Sequence, residues 1–191
     1  RQGGVPAYCL PGTAVAPTLL NSRIQADVTA LLGDRVIPGE SFDGARAQRV
    51  LDAVARTPGG ILNKSRLAGD LSIDVRTLTS YLDIAERRFL LAPLHNAAGG
   101  ASSTSRTRPK IHPTDTSIAC ESLARAGHDI ADSPELLGQV LESWVVQQVL
   151  AAQGWATLAT QAFYWRDSKT EAEVDLVLID GAGRAVGVEV K

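Results

Sequence analysis

The last nineteen residues, Glu173 to Lys191, constrain the fold more than any other stretch. They read Glu-Val-Asp-Leu-Val-Leu-Ile-Asp, then Gly-Ala-Gly, then Arg-Ala-Val-Gly-Val-Glu-Val-Lys. This is the pattern of two apolar strands joined by a tight glycine turn. Side chains alternate faces along a strand, so Glu189 and Lys191 share one face and Val188 and Val190 the other. A carboxylate and an ammonium on an otherwise apolar strand are costly to bury unless they serve each other or a bound ion. The turn decides where Asp175 falls. A three-residue loop, Asp180 to Ala182, sets it on the face of Glu189, whereas two or four residues set it opposite unless a bulge intervenes. Asp followed by Glu-x-Lys across a hairpin supplies two carboxylates for a hard cation and a lysine to position or deprotonate a water. An isolated Glu-x-Lys is far more often the mark of a surface strand with an ion pair.

Upstream of that hairpin the residues from Thr116 form one unit with it. Ile118 to Ala126 reads as a short helix broken by Gly127. Ser133 at a cap, Pro134 at the first helical position and Glu135 in the first turn start a second helix that runs to about Gln153. Leu137, Val140, Leu141, Trp144, Val145, Gln148 and Val149 form its expected apolar face, with Glu142 beside it. Thr157 to Tyr164 reads as a strand. The order is helix, strand, strand, strand, with carboxylates at Glu142, Asp175 and Glu189.

Residues 41–115 read as a separate unit. Ser41 is the expected cap of a helix to about Arg56, Asn63 of a second helix carrying Leu67 and Leu71, and Asp74 of a third. Val75, Leu78, Leu82 and Ala85 are the buried stripe of the third helix, which turns Arg76, Thr77 and Ser80 outward. Phe89 to Leu94 and Pro109 to His112 are the two strands of a hairpin, around a small-residue loop from Ala97 to Ser105. Three helices, a short turn between the last two, then a hairpin, is the winged helix-turn-helix pattern. In that reading Arg76, Thr77 and Ser80 enter a DNA groove, and Arg106, Arg108 and Lys110 hold phosphates. Such units also serve as protein-binding modules, and Asp74, Asp83 and Glu86 leave the third helix no more basic than acidic.

Residues 1–40 open with a Gly/Pro-rich linker, then an expected helix from Asn21 to Leu32 with Ile24, Val28, Leu31 and Leu32 as its stripe. The net charge of −2 gives no global basic field, so any nucleic-acid contact must come from local patches. No apolar run is long enough to span a membrane. Cys9 and Cys120, and His95, His112 and His128, match no metal or redox spacing, which fits reduced cysteines in a cytoplasmic protein and structural or surface histidines. There is no Gly-x-Ser-x-Gly elbow and no Gly-x-x-x-x-Gly-Lys-Ser/Thr phosphate loop, so neither serine-hydrolase nor intrinsic ATPase chemistry is expected. The chain starts at Arg1 without methionine and stops at Lys191 in mid-strand, the ends expected of a piece of a longer protein.

In order along the chain, several segments resemble the family called domain of unknown function 4143, found C-terminal to AAA+-type ATPases. They are Gly3-Gly4-Val5-Pro6, Leu67-Ala68 through Thr77 with Tyr81-Leu82, and Pro109-Lys110-Ile111 with Asp115. Leu137-Gly138 to Glu142, Tyr164-Trp165-Arg166, Glu173-Val174-Asp175 and Val188-Glu189-Val190-Lys191 complete the set. Val5 departs from the aromatic usual at its position. The resemblance implies an α+β chain: a linker and helix over 1–40 after an ATPase module, a winged helix-turn-helix over 41–115, and an incomplete PD-(D/E)xK nuclease-like α/β unit over 116–191. Carried over, Glu142 is the helix carboxylate, Asp175 and Glu189 are the Mg²⁺ ligands, and Lys191 is the catalytic lysine. The implied partners are DNA and the upstream ATPase, which alone would use ATP, with oligomer assembly a further possibility. Against the nuclease reading stands a non-catalytic recognition module that signals to that ATPase.

Overall fold

The computed structural model describes residues 17–33, 43–97, 108–167 and 169–191. Among them are six α-helices and two three-stranded antiparallel sheets. The expected Ser41 cap, the Gly-Gly-Val-Pro segment, residues 98–105 of the expected Ala97 to Ser105 loop, and Arg106 lie outside the described residues.

Helix α1 spans Pro17–Gly33 and buries Leu20, Ile24, Val28 and Leu32. That four-residue spacing makes a ridge inclined to the helix axis; Leu31, expected in the buried stripe, is 48% exposed. Helix α2 (Gly44–Ala55) starts where Asp43 accepts a hydrogen bond from the Arg46 amide. It packs Val50, Leu51 and Val54 inward. Strand β1 is two residues, Gly60–Ile61, too short for a sequence pattern to reveal. Helices α3 (Lys64–Asp70) and α4 (Val75–Arg87) are capped by Asn63 and Asp74, each accepting the amide hydrogen three residues on. A short turn through Ser72, at φ +54°, separates them. Leu78, Tyr81, Leu82 and Ala85 are the buried side of α4. Strands β2 (Leu91–Leu94) and β3 (Lys110–Pro113) complete the first sheet, in the order β1-β3-β2. Phe89, expected in the strand, instead closes α4 at φ +55° and is 81% exposed.

Helix α5 (Thr116–Arg125) is capped by Asp115 and packs on both α1 and α2. Buried Asp52 of α2 accepts from Ser122 at 3.2 Å and pairs with Arg125, fixing that junction. Helix α6 (Pro134–Gln153) follows, with Ser133 and Pro134 at its start as expected. Strands β4 (Thr160–Arg166), β5 (Glu173–Asp180) and β6 (Ala185–Val188) form the second sheet. Val146 of α6 packs with Leu176 of β5, Tyr164 of β4 and Leu94 of β2 in a second, smaller core. The two sheets touch where the Tyr164 amide donates to the His95 carbonyl at 2.9 Å.

Helix α6 departs from its expected orientation. Ser143 and Val146 are fully buried, whereas Leu137, Leu141 and Trp144 are 52%, 40% and 48% exposed. The face turned inward is the one whose polar members find partners on β3.

Candidate functional site

Lys110 and His112 alternate with Ile111 on β3, a strand buried along its whole length. β3 lies centrally between β1 and β2 and is covered by α6, so neither side chain reaches solvent. The Lys110 side chain is 4% exposed, and its ammonium is surrounded by carboxylates. Nζ lies 2.8 Å from Glu142 Oε1 on α6 and 3.4 Å from Asp175 Oδ1 on β5, and it also pairs with Glu173 Oε1. Glu173 and Asp175, two apart on β5, present to one side by strand alternation. The Tyr164 ring, its centroid 5.8 Å from Nζ, takes the remaining side. Gly59 permits this closeness. At φ +74°, a Cβ there would stand 3.0 Å from Glu142 Oε1 and 3.1 Å from His112 Cε1.

Three carboxylates around one ammonium make the cluster short of positive charge. Arg166 supplies part of it, with Nη1 3.1 Å from Glu173 Oε2. Burial on its own would lower the Lys110 pKa; the hydrogen bonds and charges of Glu142 and Glu173 outweigh it, and the net shift is upward. Glu142 is also raised, first by burial and then by Asp175 and Glu173, with Lys110 opposing. The Lys110 shift follows from the surrounding negative charge, whereas the Glu142 shift follows chiefly from burial, to which the neighbouring carboxylates add. At neutral pH Lys110 is an ammonium, neither base nor nucleophile. His112 Nδ1 lies 2.9 Å from Ser143 Oγ, while its Nε2 is buried without a described partner. Burial, and then the nearby Lys110 charge, push its pKa down to about 4.

Asp175 and Glu142, two of the residues read as a carboxylate site, therefore meet through Lys110. The paired register between β5 and β6 ends at Leu176 opposite Val188, one residue short of both Asp175 and Glu189. Glu189 and Lys191 lie 3.7 Å apart with side chains 51% and 83% exposed. Asp175 Oδ2 accepts the Val190 amide at 3.0 Å, so both of its oxygens face protein donors. Mg²⁺ needs free oxygens at about 2.1 Å, and an ammonium among them repels a second cation. Among the described residues no three of His, Cys, Asp and Glu stand together as a metal set. The arrangement as it stands does not fit a Mg²⁺ centre.

The sequence pattern puts Lys110 at a phosphate. Its burial and its three carboxylate partners leave it no path to one. Arg76 and Ser80 are exposed on α4. The Thr77 hydroxyl is turned to its own cap, donating to Asp74 Oδ2 at 2.5 Å. Arg108 is exposed next to β3. Sequence reasoning missed Glu173, Tyr164, Arg166 and the buried role of His112. Strand alternation would have found Glu173, two residues before Asp175.

The family described as Domain of unknown function (DUF8612) matches residues 18–129, and that described as Domain of unknown function (DUF4143) matches residues 137–191. No curated protein sequence matches the chain. Among solved structures, a Lactococcus lactis protein titled ZitR, wild type in complex with DNA, aligns at 14% identity. It covers 74% of this chain and 97% of its own, with a TM-score of 0.32, too low to establish a shared fold.

Proposed function

This chain belongs to the family described as Domain of unknown function (DUF8612), and on that footing we propose that it is a DNA-recognition region whose C-terminal sheet is held by an internal ammonium. The order helix, strand, helix, helix, strand, strand from α2 to β3 supports reading residues 41–115 as a winged helix-turn-helix. The observation that carries the proposal is α4. Its cap and its four buried side chains fix the helix against the core, and Arg76 and Ser80 remain exposed on it. That supports reading α4 as the helix laid in a major groove. The match over residues 137–191 supports placing the region beside an ATPase module, whose state DNA contact would report.

Duplex binding followed by fluorescence anisotropy tests this. Arg76→Ala, a change at an exposed position, is expected to weaken binding about tenfold, the low end for removing one base-edge hydrogen-bond pair. Unchanged affinity would remove α4 as the reading element. A second reading, a Mg²⁺-dependent phosphodiesterase built on Glu142, Asp175, Glu189 and Lys191, draws on the β5–β6 register. It requires Lys110 to leave its carboxylates.

A further inference from the structure

We propose that the hollow between the helical unit and β4 seats a DNA phosphodiester backbone, so that both units of the chain grip the same duplex. The hollow measures about 680 Å³, and Arg66, Arg108 and Arg166 line it together with Asn63, Thr57 and one carboxylate, Asp70. Three arginines, from α3, the approach to β3, and β4, therefore line one space.

The charge balance favours an anion. Asp70 is 3.9 Å from Arg66 Nε, and the two side chains are 66% and 81% exposed, a pairing that water largely screens. Arg166 is committed to Glu171 and Glu173. Arg66 and Arg108 are left to supply the positive field.

The arginines are also positioned. Tyr164, 2% exposed, donates its hydroxyl to the Arg108 carbonyl at 2.6 Å. Asn96, 8% exposed, donates to the Arg166 carbonyl at 3.1 Å and accepts from the Arg166 amide at 3.2 Å. Two buried polar side chains thus anchor the backbones of two arginines at the rim of one hollow. Such anchoring fixes where the charged ends can reach. Guanidinium forks match phosphate oxygens two at a time. Helix α3 is the first helix of the helix-turn-helix pair, and that helix crosses the phosphate backbone when its partner enters the groove. The inference rests on the α3–α4 reading above and adds to it a contribution from the C-terminal sheet.

The test is the salt dependence of binding to a fluorescein-labelled DNA duplex. Removing one cation from a phosphate flattens the slope of log affinity against log salt by about 0.9. The double variant Arg66→Ala/Arg108→Ala is expected to flatten it by about 2, with an unchanged unfolding midpoint because both side chains are exposed. Arg66→Lys/Arg108→Lys keeps the charge and is expected to keep the slope. A wild-type slope in the alanine variant, or no duplex binding by the wild-type protein, overturns the proposal. The Arg76→Ala result reads the α4 interaction separately. Arg76→Ala binding like wild type while the alanine pair flattens the slope removes the α4 reading and supports the hollow.

Discussion

Lys110→Met is expected to destabilise the fold by about 3–5 kcal/mol, the cost of breaking a buried ion pair by deleting one partner. The side chain is 4% exposed, and its loss leaves Glu142, Glu173 and Asp175 facing one another, with Arg166 paired to Glu173 alone of the three among the described residues. Methionine fills much of the space but none of the charge deficit. Urea unfolding followed by tryptophan fluorescence measures the change. The companion variant Lys110→Met/Glu142→Gln removes one of the stranded charges and is expected to recover part of the loss. A single variant within about 0.5 kcal/mol of wild type, the range of ordinary surface changes, would show that the cluster holds nothing together. The pH sign is fixed. Lys110 is raised above 10.5 in the fold, so its contribution is complete below that value and is lost as pH rises through the folded pKa.

The second large effect comes from His112. It has a pKa of 6.5 unfolded and about 4 folded, because burial and the Lys110 ammonium both oppose its charge. As pH falls below 6.5 the unfolded chain takes a proton that the folded one refuses, so stability falls with pH. The loss reaches roughly 3 kcal/mol by about pH 4 and then levels off. The groups facing His112 set the background. Ser143 hydrogen-bonds Nδ1, Asp175 favours the protonated ring, and Lys110 disfavours it. Glu142 works in the opposite sense: raised above 4.5 in the fold, it adds stability as pH falls. The comparison is therefore between wild type and His112→Gln, each measured at about pH 7 and about pH 4.5, on either side of the unfolded histidine pKa. The wild type is expected to lose more stability over that interval. Equal losses would mean that His112 is not held neutral.

Much of the scaffold is legible in the sequence because its signals are local. Asn63, Asp74 and Ser133-Pro134 cap the helices that the sequence assigns to them, since a cap needs only the next three amides. The glycine turn between β5 and β6 is readable for the same reason, but its register is not: Ile179 pairs with Ala185, not with the Gly183 that a loop from Asp180 to Ala182 would set opposite it. The burial of α6 is not. Composition favours hiding Leu137, Leu141 and Trp144, yet Glu142 and Ser143 turn inward because Lys110 and His112 wait 32 and 31 residues away. Lys110 sits close to Arg108 in a segment that reads as a basic wing. Only the strand order β1-β3-β2, with α6 above it, shows that the strand is covered and its lysine enclosed. Arg166 likewise reads in the sequence only as part of a motif, because its hollow is assembled from α3, β3 and β4 together.

Calorimetric titration of Mg²⁺ and of Mn²⁺ into the wild-type protein, with Asp175→Ala as control, tests most directly whether these carboxylates serve an internal ammonium. The structure predicts no saturable heat in either protein, because Lys110 already occupies the acidic cluster. A saturable one-to-one isotherm in the wild type that disappears in Asp175→Ala would contradict that, and would return the site to metal chemistry.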